Sequence, residues 1–144
     1  MEFCREYIVR WSDLDGNKHM KNIAYMEYAM QTRFHIWDEL GFTVKDFDHH
    51  HIGPIAFREE SLYFRELHIH EHFSVNFSVG GLSDDFRKFT FRNDLFAHDG
   101  ALSAIVRVEG AWLDMQRRKI IIPPPELIAV LQQIPHADDY TVIP

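Results

Sequence analysis

The chain reads as an α+β protein in which an antiparallel sheet wraps around one long central helix, and three observations carry that reading. From Lys18 to Leu40 there is neither Gly nor Pro, and Ile23, Met26, Met30, Phe34, Trp37 and Leu40 recur at steps of three and four, the spacing of one buried helix face. Phe73, Val75, Phe77 and Val79 alternate strictly with Ser74, Asn76 and Ser78, the signature of a half-buried strand. After the helix come strand-like stretches and one short helix, so only the sheet is left to cover the long helix. Aromatic residues on more than one side of that helix (Tyr25, Tyr28, Phe34, Trp37) fit enclosure by a curved sheet.

Taken in order, Phe3 to Trp11 reads as a first strand and Ser12 to His19 as a polar turn. Asn22 suits an N-cap and Gly41 the C′ position, which bounds the helix at Asn22–Leu40. Thr43 to Gly53 is a polar, His-rich connection. Ile52 to Leu67 is extended, with a break near Glu59-Glu60 that turns its two halves to different faces. The strand ending at Val79 is closed by Gly80-Gly81. Arg87 to Ala97 and Ala101 to Met115 form a hairpin through His98-Asp99-Gly100, because Asp-Gly between alternating hydrophobics favours a tight turn. Arg117-Arg118-Lys119 is a basic turn, Pro123-Pro124-Pro125 a stop, and Glu126 to Gln133 a short terminal helix with Pro at its start.

With 144 residues, 46% hydrophobic and 26% charged, the composition is that of one globular domain with a real core. Fifteen basic against 22 acidic residues give a net charge of −7, which argues against nucleic acid or an anionic membrane as a general partner. Cys4 stands alone, so no intrachain disulfide is expected, and it lacks the His and Asn frame of a catalytic thiol. The N-terminal residues lack a basic segment followed by an apolar run, and no apolar stretch reaches 18 residues; a cytoplasmic protein is the expectation. With a single long helix, one edge or face of the sheet is left to pair with a second copy, so a homo-oligomer is expected.

Two carboxylates, an Asn and a His lie just ahead of the helix, whose N-terminus carries free N–H groups and a partial positive charge suited to an oxyanion. Asp13-x-Asp15 followed by Asn17, His19, Asn22 and Tyr25, with the helix YMEYAMQTRFHIWDELG, resembles the start of hotdog-fold acyl-CoA thioesterases of the 4-hydroxybenzoyl-CoA thioesterase type. Glu60-x-x-Tyr63-x-Arg65 resembles that family's second strand, and Arg118 with Ile122-Pro123-Pro124-Pro125-Glu126-Leu127 its ending. The chain departs from the family at Met20-Lys21, where a Val-Asn pair usually follows the His.

The resemblance implies a hotdog fold and hydrolysis of an acyl-CoA thioester by a carboxylate that attacks the carbonyl or activates water. It places that carboxylate at Asp15 and the oxyanion site at the backbone N–H groups of Asn22 and Ile23, with Asn17, His19 and Asn22 in support and Glu60 orienting water or facing the site from a partner subunit. Arg117, Arg118 and Lys119 are candidates for gripping CoA phosphates. No metal or bound cofactor is required, and the expected assembly is a dimer or a dimer of dimers. Two other readings share the fold: a non-catalytic acyl-CoA-binding protein, and a hydratase or dehydratase.

Other patterns point to structure. Asp13 reads as a turn residue that binds local N–H groups, and Asn17 as a turn residue with positive φ or a loop-locking hydrogen bond. An EF-hand reading of Asp13-Leu14-Asp15-Gly16-Asn17 fails, because Lys18 stands where the loop needs Gly and Ala24 where it needs a bidentate Glu. His49-His50-His51 and His68-Ile69-His70-Glu71-His72 read as exposed loop and edge histidines, since zinc sites draw well-spaced ligands from two elements.

Overall fold

The computed structural model describes residues 3–144. Strand β1 (Cys4–Ile8) leads through a short 3-10 turn (Trp11–Asp13) to the central helix α1 (Asn22–Glu39). A second helix, α2 (Val44–His50), precedes the long strand β2 (Ile52–Tyr63). Strands β3 (His72–Asn76), β4 (Ser78–Ser83), β5 (Lys88–Ala97), β6 (Leu102–Asp114) and β7 (Lys119–Ile120) follow, then helix α3 (Pro125–Gln133) and strand β8 (His136–Ile143).

All eight strands form one curled sheet around α1. The path runs β2, β6, β5, and the far edge of β5 is then shared: β3 pairs with its Leu95–Ala97 end and β4 with its Phe89–Arg92 end. β1 lies outside β3 in antiparallel pairing, and β8 lies outside β4 in parallel pairing. At the opposite margin β2 pairs only with β6, so its other edge is open along twelve residues.

Trp37 is the centre of the larger core cluster. Its ring lies 5.0 Å from Phe34, 5.5 Å from Phe91, 5.7 Å from Phe47, 5.8 Å from Phe77 and 5.9 Å from Trp112, between ring centroids. A second cluster packs Ala24, Tyr25, Tyr28 and Ala29 of α1 against Phe73, Val75, Leu95, Ala104 and Val106, and so fixes the end of the helix that carries the candidate site.

Several expectations are corrected. The buried face of α1 is Ala24, Tyr25, Tyr28, Ala29, Thr32, Arg33, Ile36 and Trp37; of the expected stripe, Ile23 is 54% and Met30 45% exposed. Small residues at 24, 29 and 32 let the sheet approach the helix closely. The helix starts one residue after Lys21, whose extended backbone makes it the N-cap without a side-chain bond, so Asn22 is the first helical residue and not the cap. The His-rich connection contains α2, whose Thr43 and Asp46 exchange side-chain to backbone bonds in a capping box. Gly80-Gly81 lies inside β4 and does not end it, because β8 packs so closely that a Cβ at Gly81 would meet the Thr141 carbonyl oxygen at 2.7 Å. The break expected near Glu59-Glu60 falls just earlier, as a bulge at Phe57 between the Ala56 and Arg58 pairings. β8 itself was not expected from the sequence.

Candidate active site

The loop carrying Asp15 is held at two points. Asp13 is 2% exposed, and its Oδ2 accepts the Tyr28 hydroxyl at 2.5 Å and the Arg10 backbone N–H at 2.9 Å. The Arg10 guanidinium donates to both carboxylate oxygens, at 3.2 and 3.4 Å. Burial pushes the Asp13 carboxyl up, but the bonds from Tyr28 and Arg10 outweigh it and hold this group below the usual carboxylate range. Burial, together with the Asp13 charge, pushes the Tyr28 phenol up to about 12. Asp13 is therefore a strut between the loop and α1, as its turn reading suggested.

The second point is the loop itself. Leu14 bridges Met20, and the Asp15 N–H donates to the His19 carbonyl at 2.9 Å. Lys18 donates to the Asp15 carbonyl at 3.1 Å, and the positive φ expected at Asn17 falls at Lys18 (64°). The Asp15 side chain is tied by one oxygen: Oδ1 accepts the backbone N–H groups of Asn17 at 2.8 Å and His19 at 3.2 Å. Oδ2 accepts no hydrogen bond among the described residues. This geometry fixes a carboxylate while leaving one of its oxygens available.

The start of α1 lies beside it. As first and second helical residues, Asn22 and Ile23 have N–H groups with no intrahelical acceptor, whereas the Ala24 N–H already bonds the Lys21 carbonyl at 3.0 Å. Asp15, His19 and Asn22 line one cleft of about 340 Å³, together with the buried Met20 and Tyr25, with Tyr63 at the end of β2, and with Phe64, Arg65 and Glu66 just beyond it. The Tyr63 ring packs edge-on against Tyr25 at 5.0 Å, and its hydroxyl reaches the Asn22 carbonyl at 3.5 Å. Burial pushes the Tyr25 phenol up, so it stays a neutral donor. The Met20 N–H donates to the Leu67 carbonyl at 2.8 Å, which stitches the Asp15 loop to the segment after β2.

Of the residues expected at the site, Asp15, His19 and Asn22 thus share a cleft, and Asn17 contributes its backbone N–H to Asp15. Ile23 contributes backbone only; its side chain is exposed. Glu60 lies elsewhere in the chain, in a polar cleft on another part of the sheet with Arg58, Thr90, Arg107, Glu109 and Asp139. The bulge at Phe57 explains this, since it resets which residues of β2 face α1: Glu59, not Glu60, lies beside Met30, Arg33 and Phe34. Arg117 and Arg118 lie in the turn between β6 and β7 and Lys119 opens β7, opposite Asp114, whose other partner is Ile52. The Tyr63 end of the same ladder borders the cleft, so the basic turn lies roughly 35 Å away along the strand. Tyr63 to Glu66 were missed as a group; the signal was their place at the end of a long strand, the usual position for site residues on a rigid element.

No curated protein matches the sequence. Solved structures do match in fold. A 1,4-dihydroxy-2-naphthoyl-CoA thioesterase from Synechocystis superposes with a TM-score of 0.82 at 12% identity, over 92% of this chain and 97% of that one. A hypothetical protein from Staphylococcus aureus, solved in complex with CoA, gives 0.81 at 17% identity over 95% and 88%. A gentisyl-coenzyme A thioesterase gives 0.76 at 16% identity over 90% and 99%. These likenesses establish the hotdog fold. Residues 9–131 match the family model described as the thioesterase-like superfamily, from just after β1 into α3, and the chain belongs to that superfamily.

Proposed function

We propose that this protein hydrolyses acyl-CoA thioesters, with Asp15 as general base or nucleophile and the N–H groups of Asn22 and Ile23 as the oxyanion site. Superfamily membership supports thioester hydrolysis in general, and CoA or CoA-ester names among the fold neighbours support CoA as the carrier. The observation that carries the residue assignment is the shared cleft: a carboxylate tethered by one oxygen beside a helix start with open N–H groups. A thioester carbonyl seated against those N–H groups gains stabilisation as its oxygen becomes negative, and Asp15 supplies or activates the attacking oxygen. Losing one such donor typically costs roughly 10²–10³ in rate. His19 and Asn22 border the same space and orient water or the carbonyl.

The active unit is a dimer formed through the open edge of β2. That strand is long, and Phe57 (59%), Tyr63 (50%) and Leu62 (44%) are exposed along it, which is an unstable arrangement for a lone sheet edge. Antiparallel pairing of two β2 strands about Phe57 places one copy's Ile52 opposite the other's Leu62, next to Tyr63. The basic turn Arg117 to Lys119, distant from the cleft of its own chain, then approaches the cleft of its partner, where CoA phosphates would lie. Glu60 acts in this arrangement as a surface ion-pair partner of Arg58, at 3.5 Å.

The test is release of free thiol from a panel of short, long and aromatic acyl-CoAs, with wild type beside Asp15→Asn. Turnover that falls at least 100-fold in a folded variant is the expected result. Turnover that survives the substitution removes Asp15 from its role, and binding without any turnover removes the hydrolase reading.

A further inference from the structure

We infer that His19, Glu66 and His68 form a binding site for one divalent transition-metal ion of the zinc class. Along the chain, His68, His70 and His72 alternate as they would on one strand. The fold breaks that run: His70 adopts a left-handed backbone (φ 63°), β3 begins only at His72, and His68 turns instead to pair with the Asp15 loop through a His19–His68 bridge. Two histidines from two separate elements thereby meet, with a carboxylate between them.

The distances suit a metal. His19 Nδ1 lies 3.2 Å from Glu66 Oε2, His68 Nε2 lies 3.8 Å from Glu66 Oε1, and one ligand atom from each residue falls within 4.8 Å of the others. A tetrahedral ion with bonds of about 2.0–2.1 Å has ligand–ligand edges of roughly 3.3 Å, so small rotations of exposed side chains close the set. The two rings stand edge-on, with centroids 5.1 Å apart, and so do not stack in a way that would turn both nitrogens away.

A second feature supports the same assignment. His68 Nδ1 lies 3.6 Å from Glu71 Oε1, and that oxygen is held in place by the His68 backbone N–H at 3.2 Å. Glu71 Oε2 is buried, has no hydrogen-bond partner among the described residues, and lies 3.8 Å from His98 Nδ1. A carboxylate behind the ring nitrogen that faces away from the metal is the usual support of a ligating histidine, because it fixes the ring and raises its basicity. Two imidazoles and a carboxylate select zinc, cobalt, nickel or copper over magnesium or calcium, which prefer all-oxygen shells. Such a set leaves a fourth position open, and two of its three ligands, His19 and Glu66, also line the cleft of Asp15.

The inference does not depend on the thioesterase reading, since its test is binding. The metal-stripped full chain is titrated with Co2+, read by visible absorption of the tetrahedral ion, and with Zn2+ against a chromophoric chelator. One ion per chain is expected, unaffected by excess Mg2+, with affinity at least about tenfold weaker in His68→Ala and in Glu66→Gln. Zn2+ is also expected to raise the melting temperature of wild type and not of His68→Ala, because the ion joins the Asp15 loop to the segment after β2. A triple His49→Ala, His50→Ala, His51→Ala variant should bind as wild type does. Absence of a Co2+ spectrum, or binding unchanged by His68→Ala but lost in the triple variant, overturns the assignment.

Discussion

Replacing Tyr28 by Phe isolates the strut beneath the proposed catalytic loop. The ring stays, so its packing on Phe73 and Tyr7, both at 4.9 Å, is kept, and only the 2.5 Å bond to Asp13 is lost. A hydrogen bond to a charged group contributes about 1.5–3 kcal/mol, and Asp13 retains its bonds from Arg10. At about 2–4 °C per kcal/mol for a chain of this length, the melting temperature should fall by about 3–12 °C at pH 7. The pH dependence is more discriminating. The Asp13 carboxyl is depressed in the folded state, so its stabilisation is full above the unfolded carboxylate range and is lost as pH falls through the depressed value. The Tyr28 phenol is raised to about 12, so its contribution is full below the unfolded value of 10.0 and is lost as pH rises from there toward about 12. The gap between wild type and variant should therefore be widest in the neutral range and narrow at both ends. Urea unfolding followed across pH measures it. A gap that is constant with pH, or under about 0.5 kcal/mol at neutrality, refutes the strut.

Gly110→Ala should destabilise by about 3 kcal/mol or more, because the new Cβ would stand 2.0 Å from the Ile55 carbonyl oxygen and 2.8 Å from the Phe89 ring; thermal melting checks it. Asn93→Ala removes the one hydrogen-bond acceptor found among the described residues for the buried Arg33 guanidinium, whose pKa burial already lowers to about 10, and should cost about 1.5–3 kcal/mol in urea unfolding. Phe57→Glu on the open edge of β2 should leave the monomer folded yet shift sedimentation velocity from dimer to monomer.

The frame of the fold was legible because its signals are local. The unbroken run from Lys18 to Leu40 became α1, and the Asp99-Gly100 turn joined β5 to β6 as the alternation on either side required. What failed was information held between elements. The helix face was misassigned because Ala24, Ala29 and Thr32 are buried for their size, while Ile23 and Met30 stay exposed in the lone chain. β8 escaped notice because its sequence, His136 to Ile143, is mostly exposed and has no apolar alternation; its place is set by Arg92 and Arg107, which both reach Asp139. The candidate site divides in the same way. Asp15, His19 and Asn22 lie within eight positions of one another and were found together, whereas Glu66 and His68 are brought to them by the Met20–Leu67, His19–His68 and His19–Glu66 contacts across the fold.

The parallel pairing of β8 with β4 also has a consequence in time. β4 ends at Ser83, and its partner is complete only at Ile143, sixty residues later. At about 5–20 residues per second on a ribosome, that interval lasts roughly 3–12 s, during which the outer edge of β4 has no strand beside it. Neighbouring nascent chains on one message would present the same open edge to each other. Gly81, which lets β8 settle closely once it arrives, and its neighbour Gly80 also make this edge a poor template while it waits, since glycine is among the weakest strand formers.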